Sequence, residues 1–93
     1  MSVEIKSYRE APSGARLGFC DAFIKEWGLH IYDLAVFEKD AKRWVSMPQR
    51  KVENGYLPYL RFADKERSRR FSDAVVKALG SYKKGEKQNR GRE

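Results

Sequence analysis

Nine basic side chains in the second half of the sequence have types and spacings that suit one chemistry. They are Lys42, Arg43, Arg50, Lys51, Arg61, Lys65, Arg67, Arg69 and Arg70. Arginine offers a planar fork of donors that matches phosphate oxygens in pairs. Several such cations on one surface bind a polyanion by releasing its counterions, with no reading of sequence. At about 100° per residue, a helix over this region puts Glu66, Arg70, Asp73 and Lys77 away from its apolar stripe. Lys65 and Arg69 fall beside them, and Arg67 falls near the stripe, where it is expected to lie over the core. Arg69 and Arg70 are therefore better placed for phosphate contact than Arg67, and Lys65 and Arg43 remain candidates in the same set. The competing reading of each is a solvated face with local acid–base pairs.

Other chemistry finds less to work with. His30 is the single histidine and Cys20 the single cysteine. General acid–base or nucleophilic catalysis needs a positioned partner. Asp33 lies on the opposite face of the same strand if alternation holds, Cys20 is distant in sequence, and there is no glycine-rich phosphate loop. The expectation is a protein without catalytic residues, metal or cofactor, in which His30 is structural. Asp33 sits in an apolar strand and must accept hydrogen bonds or meet an arginine to be tolerated there. Trp27, Trp44 and the five tyrosines could stack on bases, Trp44 and Tyr59 above all, although such residues more often serve a core or a dimer contact.

The charge distribution supports a polyanionic partner. Residues 1–40 hold five Lys/Arg against seven Asp/Glu, a net of −2, whereas residues 41–93 hold fifteen against six, a net of +9. The downstream half is the electropositive one. One cysteine excludes an internal disulfide, and no apolar run approaches the length of a membrane span. The N-terminus MSVEIKSYRE shows no signal-peptide pattern, so a cytoplasmic location without membrane partners is expected.

The elements that must position these residues follow from periodicity. The organising stretch is Leu29–Pro48. Leu29–Glu38 crowds Val, Ile, Tyr and Phe into a strand, with Leu29, Ile31, Asp33, Ala35 and Phe37 expected on one face. His30, Tyr32, Leu34, Val36 and Glu38 are expected on the other, both faces being at least partly covered. Glu38–Lys42 is a polar turn, and Arg43–Met47 returns as a strand that Pro48 ends. Upstream, Val3–Tyr8 alternates as an edge strand, Arg9–Ala15 reads as a loop, and Arg16–Lys25 as a strand in which Gly18 signals a bulge or a close neighbour. Gly28 is expected at positive φ. Downstream, Gln49–Gly55 reads as a basic loop ending in the turn dipeptide Asn54-Gly55, and Tyr56–Phe62 as a fifth strand demoted by Pro58. Asp64 caps a helix whose stripe is Phe71, Ala74, Val75, Ala78 and Leu79, with Gly80 as its end. Residues 81–93 are expected to be a disordered basic tail. The fold class is thus α+β: one domain over 1–80, a small antiparallel meander of four to five strands with a C-terminal helix packed on it.

Three motifs in this order resemble the stage V sporulation protein G family, the bacterial septation regulators. They are the strand Ile31-Tyr32-Asp33-Leu34-Ala35-Val36-Phe37, the run Trp44-Val45-Ser46-Met47-Pro48 with Gln49-Arg50-Lys51 after it, and Gly55-Tyr56 followed by a helix containing Phe71-Ser72-Asp73-Ala74-Val75. Together they cover about residues 16–79. The resemblance implies a small sheet with a C-terminal helix, a homodimer made through strand pairing, and binding to DNA and/or RNA by basic residues. On matching positions it points to Arg50 and Lys51, and to Arg70 in the helix. Two features depart from the family. Its His-Pro pair ahead of the helix is replaced by Arg61-Phe62-Ala63-Asp64, and the acidic tail of some relatives by a basic one. The expected function is a dimeric nucleic-acid-binding regulator. The rival is a protein-interaction or structural dimer module in which strand edges and aromatic residues bind and charge only keeps the chain soluble.

Overall fold

A computed structural model describes the backbone of residues 1–89 and the side chains of residues 1–82. Six strands and one helix follow in the order β1 (Val3–Ser13), β2 (Arg16–Ile24), β3 (Leu29–Lys39), β4 (Lys42–Ser46), β5 (Gln49–Val52), β6 (Gly55–Pro58) and α1 (Lys65–Asn89). The first four form an antiparallel meander in the order β1-β2-β3-β4, and β5-β6 is a separate two-stranded sheet. The expected α+β architecture is present, with α1 packed against β1 and β4 across one face of the meander.

The core lies under that helix. Ile5, Cys20, Ala22, Ile24, Ile31, Leu34 and Val36 from the sheet meet Phe71, Val75 and Leu79 from α1. Full burial of each large apolar side chain stabilises by about 1.5–3 kcal/mol, which supplies what an isolated helix lacks in water. Asp64 caps the helix as expected: its carboxylate accepts from the Arg67 N–H at 2.8 Å. The helix does not stop at Gly80. It runs to Asn89, because Gly80 keeps negative φ and Tyr82, one turn beyond Leu79, still packs against the core. The tail expected over 81–93 lies mostly outside the described residues: its side chains from residue 83 on and its backbone over 90–93 are not described. Among the described residues no helix is long and apolar enough to cross a membrane.

Strict alternation along β3 breaks at one point. Cys20 pairs with Leu34 but Ala22 pairs with Ile31, so Tyr32 and Asp33 together oppose Asp21. Asp33 takes φ +62 in this bulge. The extra residue flips the face, and Ile31 is buried together with Leu34 and Val36. The two expected face sets are corrected accordingly. A second correction concerns Arg9–Ala15, which is mostly strand. β1 continues to Ser13, Pro12 is tolerated on an edge strand in a bulged stretch, and Gly14 at φ +59 makes the turn. Gly28 has φ +59, as expected. The chain start is tied down by the Ser2 amide, which donates to both Glu26 carboxylate oxygens at 2.8 and 2.9 Å and holds that carboxyl down to about 2.

The β3-β4 turn is Asp40-Ala41, with φ of 54° and 66°. Two left-handed residues in a two-residue loop make a type I′ turn, whose usual second residue is glycine. Left-handed geometry costs alanine about 1–2 kcal/mol, and glycine's greater chain entropy offsets roughly 0.5–1 of that. Ala41→Gly is therefore expected to stabilise the fold by roughly 0.5–1 kcal/mol, raising Tm by a few degrees in a calorimetric scan. An unchanged or lowered Tm would show that the turn is not strained.

Candidate nucleic-acid interface

The segment read as a loop, Gln49–Gly55, is half of a hairpin. Val52 pairs with Gly55 across a Glu53-Asn54 turn, Lys51 with Tyr56, Arg50 with Leu57 and Gln49 with Pro58. The return strand is β6, Gly55–Pro58, and it does not join the main sheet. Directly opposed residues share a face of an antiparallel pair, and neighbours along a strand alternate. Arg50 and Lys51 therefore point to opposite sides. Lys51 stands with Gln49 and Tyr56, and Arg50 stands with Leu57.

On the helix the expected cations also divide. Ser72 Oγ accepts the Val45 N–H of β4 at 3.0 Å, which fixes that flank of α1 over the β4 edge. At about 100° per residue Lys65 and Arg69 lie on the same flank as Ser68 and Ser72, toward β4 and the hairpin. Ser68 lines a cleft there with Gln49, Pro58 and Arg61, so this is the junction of hairpin and helix. Arg70 lies on the other flank, beside Met1, Trp27 and Phe62. Its side chain is exposed, off the apolar stripe, on the flank toward the chain start.

Ion pairing separates the set further. Arg70 is held by Glu66 at 2.7 Å, Arg43 by its cross-strand partner Glu38 at 2.9 Å, and Arg67 lies 3.8 Å from Asp64. Arg67 is exposed and does not cover the core. Lys42, Arg50, Lys51, Arg61, Lys65 and Arg69 are exposed and make no ion pair with a described residue. Exposed pairs are weak, yet each holds a cation near a carboxylate that a phosphate would have to displace. Of the nine, these six are the ones that no described carboxylate holds.

A polar cluster that the sequence did not disclose sits on the sheet face away from α1. Arg9 pairs with Asp33 and lies 3.7 Å from Asp21. Asp21 accepts from Ser7 Oγ at 2.7 Å and from the Asp33 N–H at 2.9 Å. Asp33 does meet an arginine, but from an exposed position, which the bulge explains. Register brings Ser7, Arg9, Asp21 and Asp33 together, and no local pattern signals it. Next to this cluster is a groove of about 900 Å³. Phe19, Ala35 and Phe37 lie on its sheet side and Tyr56 and Tyr59 on its hairpin side, with Arg9 and Arg16 also lining it.

The remaining candidates lie against neighbouring rings or in the core. The His30 ring packs 4.5 Å from Phe23 and stacks 6.0 Å from Tyr32. Cys20 is fully buried; burial, with Asp21 adding and Arg9 opposing, pushes its thiol up to about 12. Among the described residues no group of three or more His, Cys, Asp or Glu could hold a metal ion. Trp44 stacks on Phe37 at 5.6 Å and 11°, and Trp27 packs with Phe62. No family model, no curated protein and no solved structure matches the chain.

Proposed function

We propose that this protein is a homodimeric, cytoplasmic regulator that binds DNA or RNA through phosphate contacts, as its resemblance to the septation regulators implies. The observation that carries the reading is that Arg50, Lys51, Arg61, Lys65 and Arg69 are exposed and make no ion pair with a described residue, on the hairpin, on the segment after it and on the first turns of the helix beside it. Such a set supplies sequence-independent, salt-sensitive affinity. Arg43 and Arg70 contribute less, since a carboxylate already holds each. A mobility-shift titration against duplex DNA, single-stranded DNA and RNA at two salt concentrations tests it. Binding that weakens steeply with salt is expected; no binding at low salt ends the proposal.

The dimer rests on a separate observation. A two-stranded hairpin is marginal in water on its own, and β5-β6 exposes Leu57 on one side, 48% accessible, followed by Leu60 at 41%. Part of the β4 edge is engaged by Ser72, so the hairpin's own edges are the better place for pairing with a second copy. Leu57→Glu is expected to convert a dimer to a monomer in light scattering after gel filtration, with the helical circular-dichroism signal retained. A wild-type chain that stays monomeric at high concentration removes the dimer from the proposal.

A further inference from the structure

The groove between the uncovered sheet face and the β5-β6 hairpin is lined by rings on two sides. Phe19 and Phe37 belong to the sheet; Tyr56 and Tyr59 belong to the hairpin side. The tyrosines are 61% and 68% accessible, so no core requires them. Arg9 and Arg16 line the groove as well, and so do the acids Glu10 and Asp33. Arg16 lies 4.7 Å over the Phe19 ring and makes no ion pair with a described residue, its Nε donating instead to the Ala11 carbonyl at 2.8 Å. Lys51 stands on the same hairpin face as Tyr56. Arg9, 5.8 Å over Phe19, is already neutralised by Asp33.

Accessible tyrosine rings, with Arg16 in the groove and Lys51 on the same hairpin face, match one polyanion in particular. A single strand can turn its bases onto aromatic faces while its phosphates reach lysine and arginine. A duplex cannot, since its bases are already stacked on each other.

Resting on the nucleic-acid reading above, we infer that this groove is a stacking site for unpaired bases of single-stranded DNA or RNA, with Tyr56 and Tyr59 on one wall, Phe19 and Phe37 on the other, and Arg16 and Lys51 at the phosphates. The upstream half of the chain then takes part in binding and does not merely support the basic half. Single strands gain affinity from the groove in addition to the phosphate term that duplexes share.

The test uses the full chain with labelled oligothymidylate, oligouridylate and a duplex of equal length, read by fluorescence anisotropy. Tyr56→Ala/Tyr59→Ala is expected to lose roughly tenfold or more in single-strand affinity and to leave duplex affinity unchanged. Tyr56→Phe/Tyr59→Phe, which keeps both rings, should bind as the wild type does. Crosslinking the unaltered chain to a 5-iodouracil oligonucleotide should give adducts on Tyr56 or Tyr59, whatever the alanine variant does to the hairpin. Three results overturn the inference: unchanged single-strand affinity in the alanine variant, an equal loss for single strands and duplex, or adducts confined to α1. A change in sedimenting mass with no change in single-strand affinity would assign the groove to a second copy and also overturn it. If the wild type bound no nucleic acid at all, the parent reading would fall as well. Salt-sensitive duplex binding with any of the overturning results sinks the groove alone.

Discussion

Replacing Arg50, Lys51, Lys65 and Arg69 together with glutamine is expected to lower affinity for duplex DNA about 100-fold or more at low salt. It should also flatten the dependence of log K on log salt. The basis is counterion release: each phosphate contact contributes about 0.9 to that slope, so losing two to four contacts lowers it by roughly 2–4. These side chains are exposed and form no ion pair with a described residue, so stability should stay within about 0.5 kcal/mol of the wild type. The control is Arg70→Gln with Arg43→Gln. Both side chains are cations of the same kind, but Glu66 and Glu38 already hold them. Their removal should shift the slope by much less. Equal effects from the two sets would mean that exposure alone decides, and that local pairing is irrelevant. An unaffected quadruple variant, folded and binding as before, would place the phosphate contacts elsewhere.

The distinction between those two sets was not available from the sequence, and the reason is physical. Position along the chain told that Arg50 and Lys51 are adjacent and basic. It did not tell that Gln49–Val52 is a strand, which sends them to opposite faces. The hydrophobic pattern there is too polar to signal a strand, and the pairing exists because the Tyr56–Pro58 segment returns along it. The same applies to Arg70. The stripe Phe71, Val75 and Leu79 fixed which side of α1 goes down, but the direction in which the helix crosses the sheet comes from Ser72 meeting β4 and from the chain start meeting the opposite flank.

Local signals with a local cause were legible. The Asp64 cap, the apolar stripe, the positive φ of Gly28 and the meander all follow from short-range spacing. Asp33 shows where that ends. Its need for a partner was clear from an acid in an apolar strand, and Arg9 answers it. The bulge that exposes it comes from cross-strand register around Asp21, and it reverses the face of every residue on one side. A single extra residue therefore decides whether the aromatic residues of β3 meet the helix or the groove.

Gly18→Ala is expected to be among the most damaging single changes in the protein, because it tests that register where there is least room. A Cβ built on Gly18 lands on the carbonyl oxygen of Arg9 and comes within 3.0 Å of Tyr8 Oη. The tyrosine hydroxyl is the end of a side chain that can turn. The Arg9 carbonyl is backbone of the neighbouring strand, with Arg9 paired to Phe19 and Glu10 to Gly18. A methyl group can be admitted only by moving β1 away from β2. That disturbs the ladder on either side and pulls Arg9 from Asp21 and Asp33, at a cost on the order of 3 kcal/mol or more. Gly14 offers the contrast. Nothing lies within 4 Å of its would-be Cβ, so Gly14→Ala suffers only from positive φ, about 1–2 kcal/mol. Urea denaturation of the two variants separates steric from conformational cost: the midpoint should fall much further for Gly18→Ala at similar slope. If Gly18→Ala fell no further than Gly14→Ala, β1 and β2 would be free to spread. The Arg9–Asp33 contact beside the groove would then be a consequence of pairing that the sheet does not enforce.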